Sequence, residues 1–183
     1  DSARFYQFSS MHTCGAENVH NPNLPYGTMT DQEGNVYKTI VIGTQEWMAE
    51  NLKTSTYRNG DSIDIGLTNL QWQNTYNTHQ GTWAYFYNDA SNACPYGKFY
   101  NWYACVDGRQ LCPTGWHVPS DAEWNKLTIC IDPSADTTNC CSNNVAGTSM
   151  KSISGWYNSG NGTNSSGFNA LPGGECSYFN GRF

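Results

Sequence analysis

The stretch that decides the fold is Leu111-Cys-Pro-Thr-Gly-Trp-His-Val-Pro-Ser-Asp-Ala-Glu-Trp124. The four residues before Trp124, Ser-Asp-Ala-Glu, form a capping box, in which the serine side chain accepts from the N3 amide and the glutamate reaches back to the cap amide. Trp124, Leu127 and Ile131 then place an apolar stripe on one helix face. The stretch therefore predicts a helix over residues 120–131.

Strands are predicted on the N-terminal side of this helix. Val36–Ile42 is an alternating, β-branched run bounded by Gly34 and Gly43, which is typical of a strand. Trp47–Leu52 is too short to distinguish a second strand from a short helix. Trp83–Tyr87 is aromatic and apolar and predicts a short buried strand.

A second helix is predicted between these strands and the quoted stretch. Phe99, Trp102 and Tyr103 stand at positions i, i+3 and i+4, which favours a helix over about residues 96–106. Residues 54–82 are polar and contain turn signals, so we interpret them as loop.

Composition excludes several protein classes. The 183 residues include 7 Trp, 12 Tyr and 7 Phe but only 13% charged residues, which fits neither a disordered chain nor a coiled coil. No apolar run approaches the roughly 18 residues of a membrane span. The net charge is −6 and the nine cations are scattered, so nucleic acid is excluded as the main partner.

Cysteine content points to an oxidising compartment. Eight cysteines without a C-x-x-C motif favour disulfides over zinc or a redox dithiol, and all eight are candidates: Cys14, Cys94, Cys105, Cys112, Cys130, Cys140, Cys141 and Cys176. Cys130–Cys140 and Cys94–Cys105 are the pairs we expect, with Cys140 and Cys141 bonded to different partners. Because the chain begins at Asp1 without Met, we expect an exported polypeptide whose signal has been removed, located outside the cell or on its surface.

Five separated stretches carry a resemblance to one family. They are residues 31–39 with 47–53, residues 57–61, Tyr96-Gly-Lys-Phe-Tyr-Asn-Trp-Tyr-Ala104, the stretch quoted first, and Gly167-Phe-Asn-Ala-Leu-Pro-Gly-Gly174. Together they resemble the Fibrobacter succinogenes major paralogous domain, a group of secreted or surface bacterial modules. The resemblance covers residues 30–183, which leaves residues 1–29 as an irregular extension that we expect Cys14 to tether.

The resemblance implies a fold. The helix–link–helix unit is similar, more distantly, to the formylglycine-generating and diversity-generating variants of the C-type-lectin-like fold. It implies an α+β, C-type-lectin-like domain with two helices on a small twisted antiparallel sheet, long loops and disulfide staples. The family continues past the Gly-Gly segment into a final strand, so we expect that this sequence is incomplete, or that its last strands are missing or supplied by another chain.

Catalytic chemistry is not indicated. The chain has no nucleophile, phosphate-loop or dinucleotide motif, and its histidines lack metal-ligand spacing. The formylglycine-generating oxidases use a cysteine pair near the C-terminal end, and only Cys176 lies in the matching region. We expect no enzyme and no cofactor, and leave calcium open because loop oxygens are present at Asn88, Asp89, Asp107, Asp132 and Asp136.

Aromatic side chains among amide residues are the candidate ligand contacts. Exposed Trp and Tyr rings can stack on sugars while Asn and Gln bind hydroxyls. Trp72 and Tyr76 lie in one such segment, and Trp156 and Tyr157 lie in another. The alternative is that Trp72 and Trp156 are core residues under long loops. We therefore expect a module that binds a glycan or another surface macromolecule, such as a surface protein. The competing interpretation is a self-associating structural subunit of a cell-surface filament or adhesive assembly.

Overall fold

A computed structural model describes residues 19–66, 68–138, 145–177 and 181. The protein is α+β, as predicted. Its elements in chain order are β1 (Gly27–Thr30), β2 (Val36–Ile42), β3 (Gln45–Met48), β4 (Asp64–Ile65), α1 (Asn69–Thr78), β5 (Thr82–Ala84), two 3₁₀ turns (Phe86–Asn88 and Ala90–Asn92), α2 (Ala93–Tyr96), β6 (Phe99–Tyr100), α3 (Trp102–Cys105), α4 (Asp121–Ile131) and α5 (Ala146–Met150).

The chain forms two compact units. The first contains the described residues of Asp1–Met29, Tyr37–Glu50 and Pro119–Pro172, and the second those of Thr30–Val36, Asn51–Val118 and Gly173–Phe183. Residues 19–29 therefore belong to the first unit. The division into an extension over 1–29 and a domain over 30–183 stays a prediction.

The first unit is built on a sheet in the order β1-β2-β3. The predicted strand over residues 36–42 is confirmed as β2, and the open choice over residues 47–52 is settled by β3. The two strands are antiparallel, with Ile42 opposite Gln45. Gly43 has a φ of 62° in the tight connection, a conformation that glycine adopts without steric cost.

Helix α4 packs its apolar stripe on this sheet, as the sequence predicts. Leu127 is fully buried in a core with Ile40, Ile42 and Trp47. Trp124 remains 39% exposed, although its ring lies 4.8 Å from the ring of Trp47. The prediction that Trp124 faces the core is therefore correct for one face of the indole only.

The predicted capping box starts α4. The Ser120 backbone N–H donates to Glu123 Oε2 at 2.8 Å, and the Ser120 hydroxyl donates to the same oxygen at 2.7 Å. One carboxylate oxygen thus accepts both bonds, and it adds negative charge at the helix N-terminus, where it is favourable.

Glu123→Ala is expected to lower the free energy of unfolding by about 1 kcal/mol, because the cap bonds are lost. Glu123→Gln keeps an acceptor for the Ser120 amide and should retain most of this stability. Urea unfolding followed by tryptophan fluorescence measures both variants. An Ala variant as stable as the wild type would contradict the role of the box.

The second unit contains a mixed sheet in the order β4-β5-β6. β4 and β5 are parallel, whereas β5 and β6 are antiparallel. The predicted antiparallel arrangement is therefore confirmed for β5 and β6, as for β2 and β3, whereas β4 joins its sheet in parallel. Parallel neighbours require a crossover connection, and α1 supplies it within a segment that we interpreted as loop.

Aromatic packing forms the core of the second unit. Tyr57, Ile63, Trp83, Ala104 and Leu111 are buried together. The Trp83 indole N–H donates to the carbonyl of Ile63 at 3.1 Å, so the largest ring of this cluster has no unsatisfied donor. The predicted strand over residues 83–87 is confirmed only at its start, since β5 ends at Ala84 and a 3₁₀ turn follows.

The helix predicted over residues 96–106 is wrong in its extent. Phe99 lies in β6, and the helix α3 begins only at Trp102, whose side chain is 71% exposed. Asn101 causes the break. Its backbone is extended, and its side-chain oxygen accepts from the N–H groups of Thr82 and Ala104, both at 3.0 Å. One amide thus ends the strand and caps the helix.

Most of the described cysteines are free thiols, although the sequence predicts disulfides. Cys94 is disulfide-bonded, but the following four are free: Cys105, Cys112, Cys130 and Cys176. The pairs Cys94–Cys105 and Cys130–Cys140 are wrong because each includes a free thiol. Cys14, Cys140 and Cys141 lie outside the described residues. A cysteine count does not report the Cβ–Cβ separation that a disulfide requires, so the disulfide-stapled prediction is not confirmed.

Candidate functional site

Trp72 and Tyr76 lie on helix α1 and not in a loop. The Thr68 hydroxyl caps this helix by accepting from the Gln71 N–H at 3.1 Å. Trp72 is only 7% exposed, whereas Tyr76 is 62% exposed. The prediction that Trp72 lies in an exposed loop is therefore wrong, and the core interpretation is correct for this residue. Tyr76 keeps an accessible ring.

Trp156 is an anchor of its loop. Its indole N–H is shared between the Ser152 hydroxyl at 3.0 Å and the Ala170 carbonyl at 3.3 Å. The Lys151 ammonium lies 5.1 Å from the ring centroid, and the Trp156 backbone N–H donates to Asn161 Oδ1 at 3.0 Å. The side chain is half-buried, so its polar and aromatic groups are used to hold the loop.

Tyr157 is displayed by the turn that Trp156 anchors. Its side chain is 86% exposed, the highest value among the exposed large hydrophobic residues of the described chain. Asn158 and Ser159 both have positive φ, 49° and 59°, and the Gly160 N–H closes the turn on the Tyr157 carbonyl at 2.9 Å. Such a turn holds its backbone in one conformation, which limits the entropy lost on binding.

Trp102 is an aromatic candidate that sequence reasoning missed. Helical spacing assigned it to an apolar face, but the cap at Asn101 turns it to solvent. No signal in the local pattern distinguishes this arrangement, because Phe99 and Tyr103 complete the same spacing.

Two of the stretches that carry the family resemblance meet at Arg58, whose side chain connects them. Arg58 Nε donates to the Cys112 carbonyl at 2.7 Å, and Nη2 donates to the carbonyls of Pro113 and Trp116 at 2.9 and 2.8 Å. Its Nη1 also bonds the Gln110 side chain. The guanidinium thus fixes the Pro-Thr-Gly link.

Buried amides organise the stretch that begins at Gly167. Asn164 and Asn169 are both buried, and the Asn169 N–H donates to Asn164 Oδ1 at 3.0 Å. Both have left-handed backbones, which asparagine tolerates better than most residues. The Tyr26 hydroxyl donates to the Gly167 carbonyl at 3.2 Å, so this stretch is tied to the start of the described chain.

Comparison with known families identifies the domain. The family described as Fibrobacter succinogenes major domain matches residues 40–182. The chain belongs to this family. The match confirms the family resemblance and includes every stretch that carries it except residues 31–39. No curated protein matches the chain, and no solved structure matches it either.

Arg109 is the centre of an ion-pair network on the surface of the Fibrobacter domain. Arg109 donates two bonds to Asp107, at 2.9 and 2.8 Å, and lies 3.3 Å from Asp61. The hydrogen bonds from Arg109 lower the pKa of the Asp107 carboxyl to about 2. The same guanidinium lies 4.0 Å from the centroid of the Tyr57 ring. These groups form a surface ion-pair network with no basic side chain poised for proton transfer.

The remaining carboxylates that we considered accept hydrogen bonds locally. Glu46 accepts from the Thr39 hydroxyl at 2.6 Å, and Asp89 accepts from the Ser91 N–H at 2.9 Å. Asp132 accepts from the Val145 N–H at 2.9 Å. Within the described residues, no group of three or more His, Cys, Asp or Glu side chains is arranged to hold a metal ion. The same residues include no helix long and apolar enough to cross a membrane.

Proposed function

We propose that this Fibrobacter domain is an exported, non-catalytic surface module that binds glycans through exposed aromatic side chains. The observation that supports the proposal is the Tyr157 ring, which is 86% exposed on a turn. The neighbouring Trp156 holds this turn in place, because its indole N–H donates to the Ser152 hydroxyl. A rigid aromatic side chain at a turn is well suited to stack on the apolar face of a sugar. Tyr76 offers a second exposed ring.

The C-type-lectin-like part of the proposal is supported by the order of elements. Helix α3, a Pro-Thr-Gly link held by Arg58 and the capped helix α4 follow one another, as in the proteins that the sequence resembles. Export is supported by the eight cysteines and by the disulfide at Cys94, because disulfides persist in oxidising compartments.

The thiols support a role without catalysis. Burial raises the pKa of the Cys176 thiol to about 11, and it also raises the pKa of Cys105. Burial raises the pKa of the Cys112 thiol to about 11, and the charge of Cys105 raises this pKa further. Reactive cysteines have lowered pKa values because the thiolate is the nucleophile. An oxidase of the formylglycine-generating type would need such a thiolate.

Tyr157→Ala is expected to weaken retention on a bound polysaccharide about tenfold, since a stacked ring contributes about 0.5–1.5 kcal/mol beyond its buried area. Affinity electrophoresis against a panel of neutral and acidic polysaccharides measures retention, and thermal melting confirms the fold. Tyr157→Phe keeps the ring and should bind nearly as well. Equal retention of the wild type and Tyr157→Ala would contradict the site.

A filament subunit is the second candidate, and exposed apolar side chains of the second unit favour it. Leu70, Tyr76 and Trp102 are all largely exposed, and such side chains are common in protein–protein contacts. Trp102→Ala is the discriminating variant. In a glycan module it should leave retention unchanged, whereas in a filament subunit it should reduce self-association in sedimentation velocity.

A further inference from the structure

A cavity of about 430 Å³ lies in the first unit, where residues 19–28 meet strand β2. The residues used in the argument are His20, Asn21, Leu24, Tyr26, Thr28 and Lys38, all of which line it. Its size falls within the ~300–1,000 Å³ that small-molecule sites occupy.

His20 is the feature of this cavity that calls for a ligand. Its side chain is 5% exposed, and neither Nδ1 nor Nε2 has a hydrogen-bond partner among the described residues. Nε2 lies 3.7 Å from Glu50 Oε1, which is beyond hydrogen-bonding distance. Buried polar atoms are normally bonded, so an orphaned imidazole in a cavity wall needs a partner from outside.

The wall beside His20 is rigid before any ligand binds. The rings of His20 and Tyr26 are in contact, with centroids 5.0 Å apart. The Tyr26 hydroxyl accepts from the Asn21 N–H and donates to the Gly167 carbonyl, both at 3.2 Å. Asn21 Nδ2 donates to the Asn164 carbonyl at 3.1 Å. Preorganisation of this kind lowers the cost of binding.

The lining is basic in a protein whose net charge is −6. His20 and Lys38 border the cavity, and its described lining residues include no Asp or Glu; the Glu50 carboxylate lies outside this lining, 3.7 Å from His20 Nε2. The Lys38 ammonium lies 5.4 Å from the Tyr26 ring centroid. Across the described residues, no carboxylate lies within ion-pair distance of this ammonium. The Lys38 ammonium and a donor nitrogen of His20 therefore favour an anionic group in the cavity.

We propose that this cavity binds a hexuronate, a sugar ring that carries a carboxylate. The carboxylate would be held by the Lys38 ammonium and accept from the His20 imidazole, which satisfies the orphaned nitrogen. Leu24 and the Tyr26 edge offer apolar surface to the C–H face of the ring, and the Thr28 hydroxyl is available to a sugar hydroxyl. The choice of a sugar rests on the proposed glycan-binding function, whereas the choice of an acid rests on the cavity itself.

Glucuronate and glucose form the matched ligand pair for the test, with cyclohexanecarboxylate as an acid that is not a sugar. Calorimetric or NMR titration of the whole chain should show glucuronate binding at least tenfold more tightly than either. Lys38→Met should weaken glucuronate binding about tenfold. Lys126→Met, which removes an exposed lysine of the same unit, should leave it unchanged.

Each negative result has a distinct meaning. Glucuronate and glucose of equal affinity, or a Lys38→Met variant that binds like the wild type, would overturn the inference. If cyclohexanecarboxylate binds as tightly as glucuronate, the assignment of a sugar ligand is overturned, and the cavity is a site for carboxylic acids in general. His20→Gln is a second variant for the case in which Lys38→Met fails to fold. Tyr157→Ala should leave glucuronate binding intact, so loss of polysaccharide retention alone reports on the proposed function.

Discussion

Arg58→Met is expected to lower the free energy of unfolding by about 3–5 kcal/mol. The guanidinium donates to the carbonyls of Cys112, Pro113 and Trp116, and hydrogen bonds to a charged group contribute roughly 1.5–3 kcal/mol each. Methionine replaces the aliphatic stem but removes the guanidinium donor from all three carbonyls, of which that of Pro113 still accepts from the Trp116 N–H at 3.0 Å. Chemical unfolding measures the loss, and it should appear as a lower midpoint with an unchanged m-value.

Two variants control this experiment. Arg58→Lys keeps the charge but presents an ammonium in place of the planar fork, so it should recover only part of the stability. Arg109→Met removes an arginine of the same unit whose carboxylate partners are exposed or half-buried, and exposed ion pairs contribute about 0–1 kcal/mol. Similar losses in Arg58→Met and Arg109→Met would show that the link does not depend on Arg58.

Gly167→Ala is expected to destabilise the first unit by about 3 kcal/mol. Gly167 has a φ of +80°, and an added Cβ would lie 2.9 Å from Leu24 Cδ1 and 3.0 Å from Ile40 Cγ1. Left-handed backbone costs an L-residue roughly 1 kcal/mol. Overpacking a filled core costs a further 1–3 kcal/mol. Thermal and urea unfolding measure the sum.

Gly34→Ala separates these two costs. Gly34 has nearly the same φ, +82°, but nothing lies within 4 Å of its added Cβ. This variant should lose only the backbone contribution, about 1 kcal/mol. If Gly34→Ala and Gly167→Ala are equally destabilised, crowding at Leu24 and Ile40 is not the cause.

The elements that were predicted correctly have short-range causes. Helix α4 begins at Asp121 because its cap, Ser120, lies three residues before Glu123, and β2 is a strand rich in β-branched residues that ends at Ile42, before Gly43. The family, too, was recognisable from contiguous stretches, and all of them except residues 31–39 lie within the match over residues 40–182. In each case, residues a few positions apart contain the whole signal.

The elements that were predicted wrongly depend on distant residues. Helix α1 has a polar sequence without an apolar repeat, and Trp72 becomes a core residue as α1 connects the parallel strands β4 and β5. Asn101 divides a predicted helix because its amide bonds Thr82, nineteen residues away in the chain. Neither the hydrogen bond between Asn101 and Thr82 nor the burial of Trp72 can be predicted from the local sequence pattern.

The candidate sites divide in the same way. Tyr157 could be chosen from the sequence because its turn is made by its own neighbours, Asn158 to Gly160. The cavity lined by His20 and Lys38 could not, because it forms where residues 19–28, held by hydrogen bonds to Asn164 and Gly167, meet strand β2. A histidine in a polar segment carries no local sign that it will be buried without a partner. Capping and strand formation are encoded over a few residues, whereas burial and cavities arise when segments far apart in the chain pack together.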